Sequence, residues 1–292
     1  MHIGVVLSID GDEQAGVPYR TVRDLALQAE QAGFDSLWLY DHLLFRSDES
    51  TAGQWECFTF VAALAEATER ITLGTLVACT AFRNPALTAK IATALDEVSN
   101  GRFVLGLGAG WNEAEFNAFG LPFDHRVARF EEAIKIIAPL VREGKVDFTG
   151  TYEHAPDCVN TPRGPSPDGP PILIGAFGPR MVRIAAQYAD EINTGYPDEE
   201  ATQRRAMIEA ARNDAGHTTE LKISMPMWVA FDDLGPVPSH MAESHYQSVE
   251  AVAERLRQLD TIGTDHVMID FRPNNEASLT RISEALKLYR ES

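Results

Sequence analysis

The sequence contains few of the residues on which several classes of protein depend. Its 292 residues include three cysteines, Cys57, Cys79 and Cys158, with no CxxC pair and no spacing typical of a zinc site. We therefore expect reduced thiols in a cytoplasmic protein. Basic residues are also scarce, with 25 Lys and Arg against 43 Asp and Glu and a net charge of −18. This balance argues against nucleic acid and anionic membranes as partners, because both bind excess positive charge.

Long apolar runs and several common motifs are missing as well. No segment approaches the roughly 18 apolar residues of a membrane span. The first residues, MHIGVVLSIDGDE, lack the basic leader and the long apolar core of a signal peptide. GxSxG, HExxH and P-loop motifs are absent. The first β-rich run also lacks an HxH pair, so we expect no metal site.

Short β-rich runs alternate with helical patterns along the chain. Eight runs are predicted to be strands: residues 3–8, 36–40, 71–77, 102–108, 171–175, 191–195, 222–231 and 266–271. Between the first two, Val22, Leu25, Ala26 and Ala29 recur at helical spacing, and Gly33 suits a left-handed helix end. Eight strand–helix units in a chain of this length predict an α/β fold, a single (β/α)₈ TIM barrel over residues 1–292.

Two segments depart from the repeat. Residues 145–170, which follow a helix predicted near 126–142, and residues 232–247 are rich in loop-forming residues. We predict that both are insertions at the carboxyl-terminal face of the barrel. Catalytic groups of such barrels lie at that face, on strand ends and on the loops that follow them.

The stretch LWLYDHLLF is unusual, because an apolar strand ends in a carboxylate beside an imidazole. Side chains alternate along a strand, so one of Asp41 and His42 can face a pocket while the other braces the loop. Loop capping and a functional pair explain this position about equally well. The next strand ends in an apolar stretch around Cys79 and Thr80, which suits either a wall for a flat ligand or ordinary core.

Two further strand ends carry glycine-rich turns. GLGAGWNEAEF, residues 106–116, lacks the GxGxxG spacing of a dinucleotide loop and suits close approach to a planar ligand, or simply a tight turn. In ILIGAFGPRM, the fifth strand ends in Gly175–Gly178 and Pro179 opens a helix. Free N–H groups at this helix start, assisted by Arg180, predict an anion site, with an ordinary βα loop as the alternative.

Taken in order, these segments resemble the bacterial luciferase-like superfamily, particularly its coenzyme F420-dependent branch. The resemblance covers nearly the whole chain. It rests on AEQAGFDSLWLYDHL, on the segment from ITLGTLVACTAF to GAGWNEAEFNAFG, on RVARFEEAIKII, and on PILIGAFGPRMVRIAAQYADEINT. It implies a (β/α)₈ barrel, usually a dimer or larger, that binds a flavin-type ring at its carboxyl-terminal face.

The resemblance also implies roles for single residues. Asp41 would hydrogen-bond the polar edge of the ring, and His42 would lie near the reactive centre as the acid/base or orienting group. Leu76–Val77 takes the place of a non-proline cis peptide behind the ring. The other implied cofactor contacts are Cys79, Ala109, Gly110 and Trp111, with Gly175, Ala176, Phe177 and Gly178 at the phosphate. In the sugar-phosphate dehydrogenases of this family a Glu donates a proton at the position of Trp111, so glucose 6-phosphate is a poor candidate for the substrate.

The resemblance therefore implies an oxidoreductase that uses coenzyme F420 (8-hydroxy-5-deazaflavin) on a small organic substrate, as a homodimer. Two alternatives stay open. One is a monooxygenase that uses reduced FMN on the same fold. The other is a non-catalytic protein that stores or carries the cofactor, with which the loss of an acidic group at the end of the fourth strand is consistent.

Overall fold

The computed structural model describes residues 1–12, 14–46, 50–195, 201–216, 220–238, 241, 246 and 248–291, without the side chains of 201–204. No helix within these ranges is long and apolar enough to cross a membrane. The strands in chain order are β1 (His2–Val6), β2 (Asp10–Asp12), β3 (Ser36–Leu39), β4 (Leu44–Arg46), β5 (Thr51–Gln54), β6 (Thr72–Thr75), β7 (Ala78–Cys79), β8 (Phe103–Gly108), β9 (Lys145–Thr149), β10 (His154–Val159), β11 (Ile172–Gly175), β12 (Glu191–Asn193), β13 (Lys222–Ala230) and β14 (His266–Arg272).

Eight of these strands form a closed parallel barrel. β1, β3, β6, β8, β11, β12, β13 and β14 pair with one another in that order. The parallel pairing of β14 with β1 then closes the ring. All eight predicted strands are present, and the predicted (β/α)₈ TIM barrel is confirmed.

Helices cover the barrel between the strands. They are α1 (Tyr19–Ala32), α2 (Cys57–Ala67), α3 (Pro85–Val98), α4 (Glu113–Phe119), α5 (Arg126–Arg142), α6 (Pro179–Tyr188), α7 (Ala201–Asp214), α8 (Val249–Thr261) and α9 (Glu276–Arg290), with a 3₁₀ turn at Thr80–Phe82. Local sequence sets several of their ends. Gly33 ends α1 with φ of 87°. The side chain of Asn84 accepts the N–H of Leu87 and Pro85 takes the first turn of α3.

The barrel interior has its own small core. Val6, Trp38, Leu76, Leu173 and Met268 are buried together inside the ring of strands. The larger core lies between the outer faces of the strands and the apolar sides of the helices. Because both faces of each strand are covered, the strands are buried almost throughout, as expected of a parallel sheet.

A small antiparallel sheet of β2, β5 and β4 stands over the carboxyl-terminal end of the barrel. Asp10 pairs with Gln54, and Leu44 pairs with Gly53. The three strands belong to the loops that follow β1 and β3, so they support the segment just after His42. This sheet was absent from the sequence-based strand prediction.

Residues 145–170 form a hairpin along α5 and then a loop that returns to the barrel. β9 and β10 form an antiparallel hairpin against α5, and Glu132 on that helix accepts the N–H groups of Thr151, Tyr152 and Glu153 at the hairpin turn. Beyond the hairpin, the N–H and hydroxyl of Ser166 donate to the carboxylate of Asp96 in the last turn of α3. That turn lies at the amino-terminal end of the barrel, whereas the hairpin turn lies near the start of α5, where the rings of Tyr152 and His125 stack with their centroids 5.6 Å apart. The predicted position of the whole segment at the carboxyl-terminal face stays a prediction.

The second predicted insertion, residues 232–247, begins where β13 ends. Its Asp233 forms an ion pair with Arg281 of α9 at 2.6 Å, and the N–H of Tyr246 donates to the carbonyl of Ala230. Residues 239–240, 242–245 and 247 lie outside the described residues. The position of the segment as a whole therefore stays a prediction.

Candidate active site

A cavity of about 750 Å³ opens among the carboxyl ends of the barrel strands. It brings together eleven of the twelve predicted site residues: Asp41, His42, Leu76, Val77, Cys79, Ala109, Gly110, Trp111, Gly175, Phe177 and Gly178. The twelfth, Ala176, is buried outside its lining. The lining also includes residues that the sequence analysis did not single out: Tyr40, Gly108, Glu115, Arg126, Val127, Met181, Asn193, Pro226 and Trp228.

Val77 forms one wall of the cavity, where its side chain packs over β8 and β11. The Leu76–Val77 peptide bond is cis, as the resemblance implies. A Cβ atom at Gly108 would lie 2.6 Å from Cγ2 of Val77, and one at Gly175 would lie 3.2 Å from the same atom. Glycine is therefore required at the first position and favoured at the second, because the side chain of Val77 packs over both. Val77 presents the resulting apolar surface to the cavity.

Asp41 points away from the open part of the cavity and braces the neighbouring loop. Its Oδ2 accepts the N–H of Cys79 at 3.0 Å and Nη1 of Arg83 at 2.7 Å, and its Oδ1 accepts Nη2 of Arg83 at 2.8 Å. Arg83 also donates to Glu56 at 2.6 Å. Three hydrogen bonds use most of the acceptor capacity of the carboxylate. The implied bond from Asp41 to a ring stays a prediction.

His42 faces the cavity and is held by a buried carboxylate. Its Nδ1 lies 3.1 and 3.3 Å from the two oxygens of Glu115, and Glu115 also accepts the N–H of Leu43 at 2.8 Å. The N–H of His42 donates to Gln54 of β5 at 3.1 Å. The side chain of Glu115 is 1% exposed and that of His42 is 18% exposed. Because an ionised carboxylate only accepts, the proton sits on Nδ1 and Nε2 is left for chemistry.

Sequence reasoning missed Glu115. It looked for an acidic group at Trp111 and found none, although Glu115 lies four residues further on, on the buried side of α4. The available signal was the spacing in GWNEAEF, which places Glu115 four residues, about one helical turn, after Trp111. Position 111 itself holds Trp, as the sequence analysis states, but a buried carboxylate is present four residues beyond it.

Three aromatic rings meet at the mouth of the cavity. The centroids of His42 and Phe45 are 4.5 Å apart, those of His42 and Trp111 are 5.5 Å apart, and those of Phe45 and Trp111 are 6.4 Å apart. The residue Trp111 is 65% exposed. An exposed indole at a cavity mouth is a candidate contact for a ligand.

The start of α6 forms another edge of the cavity. Gly178 is the N-terminal cap, no side chain caps the helix, and a Cβ atom at Gly178 would meet nothing within 4 Å. The first helical N–H groups are therefore available to an anion, since they have no partner within the helix. Ala176 does not contribute, because its N–H donates to the carbonyl of Asn193 at 2.9 Å. Arg180 is paired with Glu131 at 2.7 Å.

Burial changes the pKa of two groups at or near the cavity, the thiol of Cys79 and the carboxyl of Asp270. Burial raises the pKa of the Cys79 thiol to about 12, so this residue is a neutral part of the wall. On the opposite side, the hydroxyl of Tyr40 donates to the carboxylate of Asp270 at 3.0 Å, and Arg272 also binds that carboxylate. Burial raises the pKa of Asp270. Within the described ranges, no cluster of three His, Cys, Asp or Glu side chains could hold a metal ion.

The sequence and the structure both have known counterparts. A family model described as luciferase-like monooxygenase matches residues 1–277. The chain is 35% identical over 181 residues to the F420-dependent glucose-6-phosphate dehydrogenase of Amycolatopsis mediterranei, which covers 61% of this chain and 52% of that protein. It is 33% identical over 171 residues to the 5,10-methylenetetrahydromethanopterin reductase of Archaeoglobus fulgidus. This match covers 58% of this chain and 48% of that protein. The chain thus spans about half the length of these two relatives.

A solved structure shows the same fold over the whole chain. It is that of an F420-dependent secondary alcohol dehydrogenase in complex with an F420-acetone adduct. The TM-score is 0.83 over 99% of both chains, at 20% identity.

Proposed function

The chain belongs to the luciferase-like monooxygenase family, and from that premise we propose that it is an F420-dependent oxidoreductase. The reaction is hydride transfer to or from a small organic substrate. The similar protein of Amycolatopsis mediterranei, at 35% identity, is named for its dependence on F420. The observation that carries the proposal is the pair of His42 and Glu115 beside the apolar wall formed by Val77, because it sets one proton-exchanging group next to a cavity that can take a flat ring.

The cavity fits a deazaflavin ring in size and in lining. Its volume of about 750 Å³ lies within the range of small-molecule sites. Gly108 and Gly175 make room for the side chain of Val77, which provides an apolar surface for a planar ligand together with Leu76 and the neutral thiol of Cys79. Ala109, Gly110 and Trp111 complete the proposed ring contacts. The cavity is therefore suited to the cofactor in chemistry as well as in shape.

The phosphate of the cofactor is assigned to Phe177 and Gly178 at the start of α6, next to Gly175. The helix begins there without a side-chain cap, so its N–H groups and its positive end are available. Ala176 belongs to this loop but supports it through its bond to Asn193 instead of contacting the anion.

His42 is the proposed acid/base group. When bound, coenzyme F420 supplies or accepts the hydride. His42 supplies or takes up the matching proton at Nε2, because Glu115 holds Nδ1 and fixes the direction of the ring. The apolar side chains of Val127, Met181 and Trp228 line the same space and limit the access of water.

Two other functions make different use of the same fold. A monooxygenase that uses reduced FMN is supported by the description of the family. A non-catalytic carrier of the cofactor was suggested by a missing acidic group, and the buried carboxylate of Glu115 at the cavity removes that support. We therefore place F420-dependent catalysis first and FMN-dependent oxygenation second.

The proposal also includes the oligomeric state and the cellular location of the enzyme. We infer a single-domain homodimer in the cytoplasm, on the resemblance to relatives and on three cysteines that form no disulfide, Cys57, Cys79 and Cys158. Sedimentation equilibrium of the purified protein gives the number of subunits directly. A monomer at micromolar concentration would remove the dimer from the proposal without touching the active site.

Variants at His42 test the proposed function. Anaerobic turnover of reduced and oxidised F420 is measured with a panel of carbonyl compounds and alcohols, for the wild type, His42→Ala and the exposed control His154→Ala. We expect His42→Ala to lower kcat about a hundredfold with the Kd of F420 within about twofold of wild type, and added imidazole to restore part of the rate. Loss of F420 binding with an unchanged kcat at saturation would make His42 a cofactor-positioning group. It would also refute its acid/base role.

A further inference from the structure

The loop that carries Trp111 is fixed on both sides of the indole. Before it, the carbonyl of Gly110 accepts Nη1 of Arg126 at 2.6 Å. After it, the side-chain N–H of Asn112 donates to the carbonyl of Leu44 at 2.8 Å. The backbone is thus anchored to two separate elements, while Trp111 itself stays 65% exposed at the mouth of the cavity. A large apolar side chain held in water by an anchored loop is typical of a ligand contact.

Trp111 also lies beside the group proposed to exchange the proton. The centroid of its ring is 5.5 Å from that of His42, in an edge-to-face arrangement. The ring of Phe45 also contacts His42, with the centroids 4.5 Å apart. An atom that receives a proton from His42 must come within about 3 Å of Nε2. Any molecule placed there is within reach of the indole of Trp111, so this ring borders the substrate side of the cavity.

The charges around this point disfavour an anionic substrate. Glu115 and Asp41 bring two carboxylates to the lining. Among the described lining residues, Arg126 is the one with a permanent positive charge, and it is held by Gly110 and lies 4.3 Å over the ring of Phe123. Arg83, behind the lining, is shared between Asp41 and Glu56. A phosphate or carboxylate that bonds to His42 would lie beside the carboxylate of Glu115, whereas Arg126 is held at Gly110 and Phe123.

We propose that the substrate is an uncharged molecule that packs on the indole of Trp111 and presents an oxygen or nitrogen to His42. This inference rests on the proposed function. In the reducing direction, the substrate carbon gains the hydride with its two electrons from the reduced cofactor, and the oxygen or nitrogen gains the proton from Nε2 of His42. Trp111 then determines specificity for the uncharged part of the substrate.

Matched pairs of small molecules test this inference. One pair is acetophenone and phenylglyoxylate, and the other is cyclohexanone and 4-oxocyclohexanecarboxylate. Each compound is titrated calorimetrically into the F420-loaded protein. The variants are Trp111→Ala and the control Phe119→Ala, which removes a 54% exposed aromatic ring of α4 outside the lining. We expect each neutral member to bind about tenfold more tightly than its anion. Trp111→Ala should weaken the neutral members about fivefold and Phe119→Ala should leave them unchanged.

The Kd of F420, measured by its fluorescence, separates the outcomes. Anions that bind as tightly as their neutral partners, or no binding by any member, would overturn the inference while F420 still binds. A Trp111→Ala variant that loses F420 affinity about tenfold and leaves the neutral molecules unaffected would show that the indole serves the cofactor alone, and would overturn the inference too. A wild-type protein that does not bind F420 would overturn the proposed function, and this inference with it.

Discussion

At the scale of single residues, Asp41 and His42 act differently because neighbouring side chains leave a strand end on opposite sides. Asp41 is turned to Arg83 and the N–H of Cys79, whereas His42 is turned to the cavity. The sequence predicted that one residue of the pair faces the pocket and the other braces the loop. It could not say which one, since Arg83 and Glu115 lie 42 and 73 residues further along the chain.

Glu115 is expected to act through His42. Glu115→Gln keeps the shape of the side chain and removes the charge that holds Nδ1, so we expect kcat to fall about tenfold with the Kd of F420 unchanged. The matched control is Glu113→Gln, an exposed position on the same helix. Steady-state kinetics and F420 fluorescence provide the two readouts. Equal effects of the two substitutions on kcat would refute a positioning role for Glu115.

Gly178 provides a test of the phosphate position. An Asp at the N-terminal cap accepts the first helical N–H groups itself, so Gly178→Asp should maintain the stability of α6 and compete with the anion. We expect F420 affinity to fall at least about tenfold. Gly178→Ala is the control, because a Cβ atom there meets nothing within 4 Å and adds no charge. Unchanged F420 affinity in folded Gly178→Asp would move the phosphate elsewhere.

At the scale of elements, Glu30 joins α1 to the turn that leads into β6. One of its oxygens accepts the N–H groups of Glu69, Arg70 and Ile71 at 2.9, 2.7 and 2.9 Å. Burial acts to raise the pKa of Glu30, but these three donors outweigh it and lower the pKa overall. A carboxyl whose pKa is lowered by folding stabilises the fold above its unfolded pKa, and this contribution is lost as the pH falls through the folded value.

We therefore expect Glu30→Gln to lower the free energy of unfolding by about 1–2 kcal/mol at neutral pH. The difference from wild type should shrink below about pH 4, where the wild-type carboxyl is protonated as well. Urea unfolding at several pH values measures it, with Glu69→Gln in the same turn as the control. A difference that stays constant down to the lowest pH would contradict a role for the charge.

Elements with local patterns were predictable and short paired ones were not. The barrel strands appear as apolar runs, and α1 shows its buried stripe in the sequence, because both patterns are local. β2, β4 and β5 are three or four residues long and exist through partners as far apart as Asp10 and Gln54. In β9, the alternation of Val146 and Phe148 is a strand signal, but the many Pro and Gly residues after it favoured a loop.

At the scale of the whole molecule, closure of the barrel converts distant strand ends into one site. His42, Val77, Gly108 and Gly175 follow four different strands and line one cavity. This gathering was predictable, since carboxyl ends of parallel barrel strands meet at one face. The cavity's charge balance was not, because the pairing of Arg126 and the burial of Glu115 depend on how α4 and α5 pack.

The measurement that tests the central claim most directly is the affinity of one protein preparation for two cofactors. Fluorescence and absorbance titrations under anaerobic conditions give the Kd of coenzyme F420 and the Kd of FMN. We predict a micromolar or tighter Kd for F420 and an affinity for FMN at least about tenfold weaker. Tighter binding of FMN, together with product formation that requires oxygen, would contradict the F420-dependent function and favour the monooxygenase.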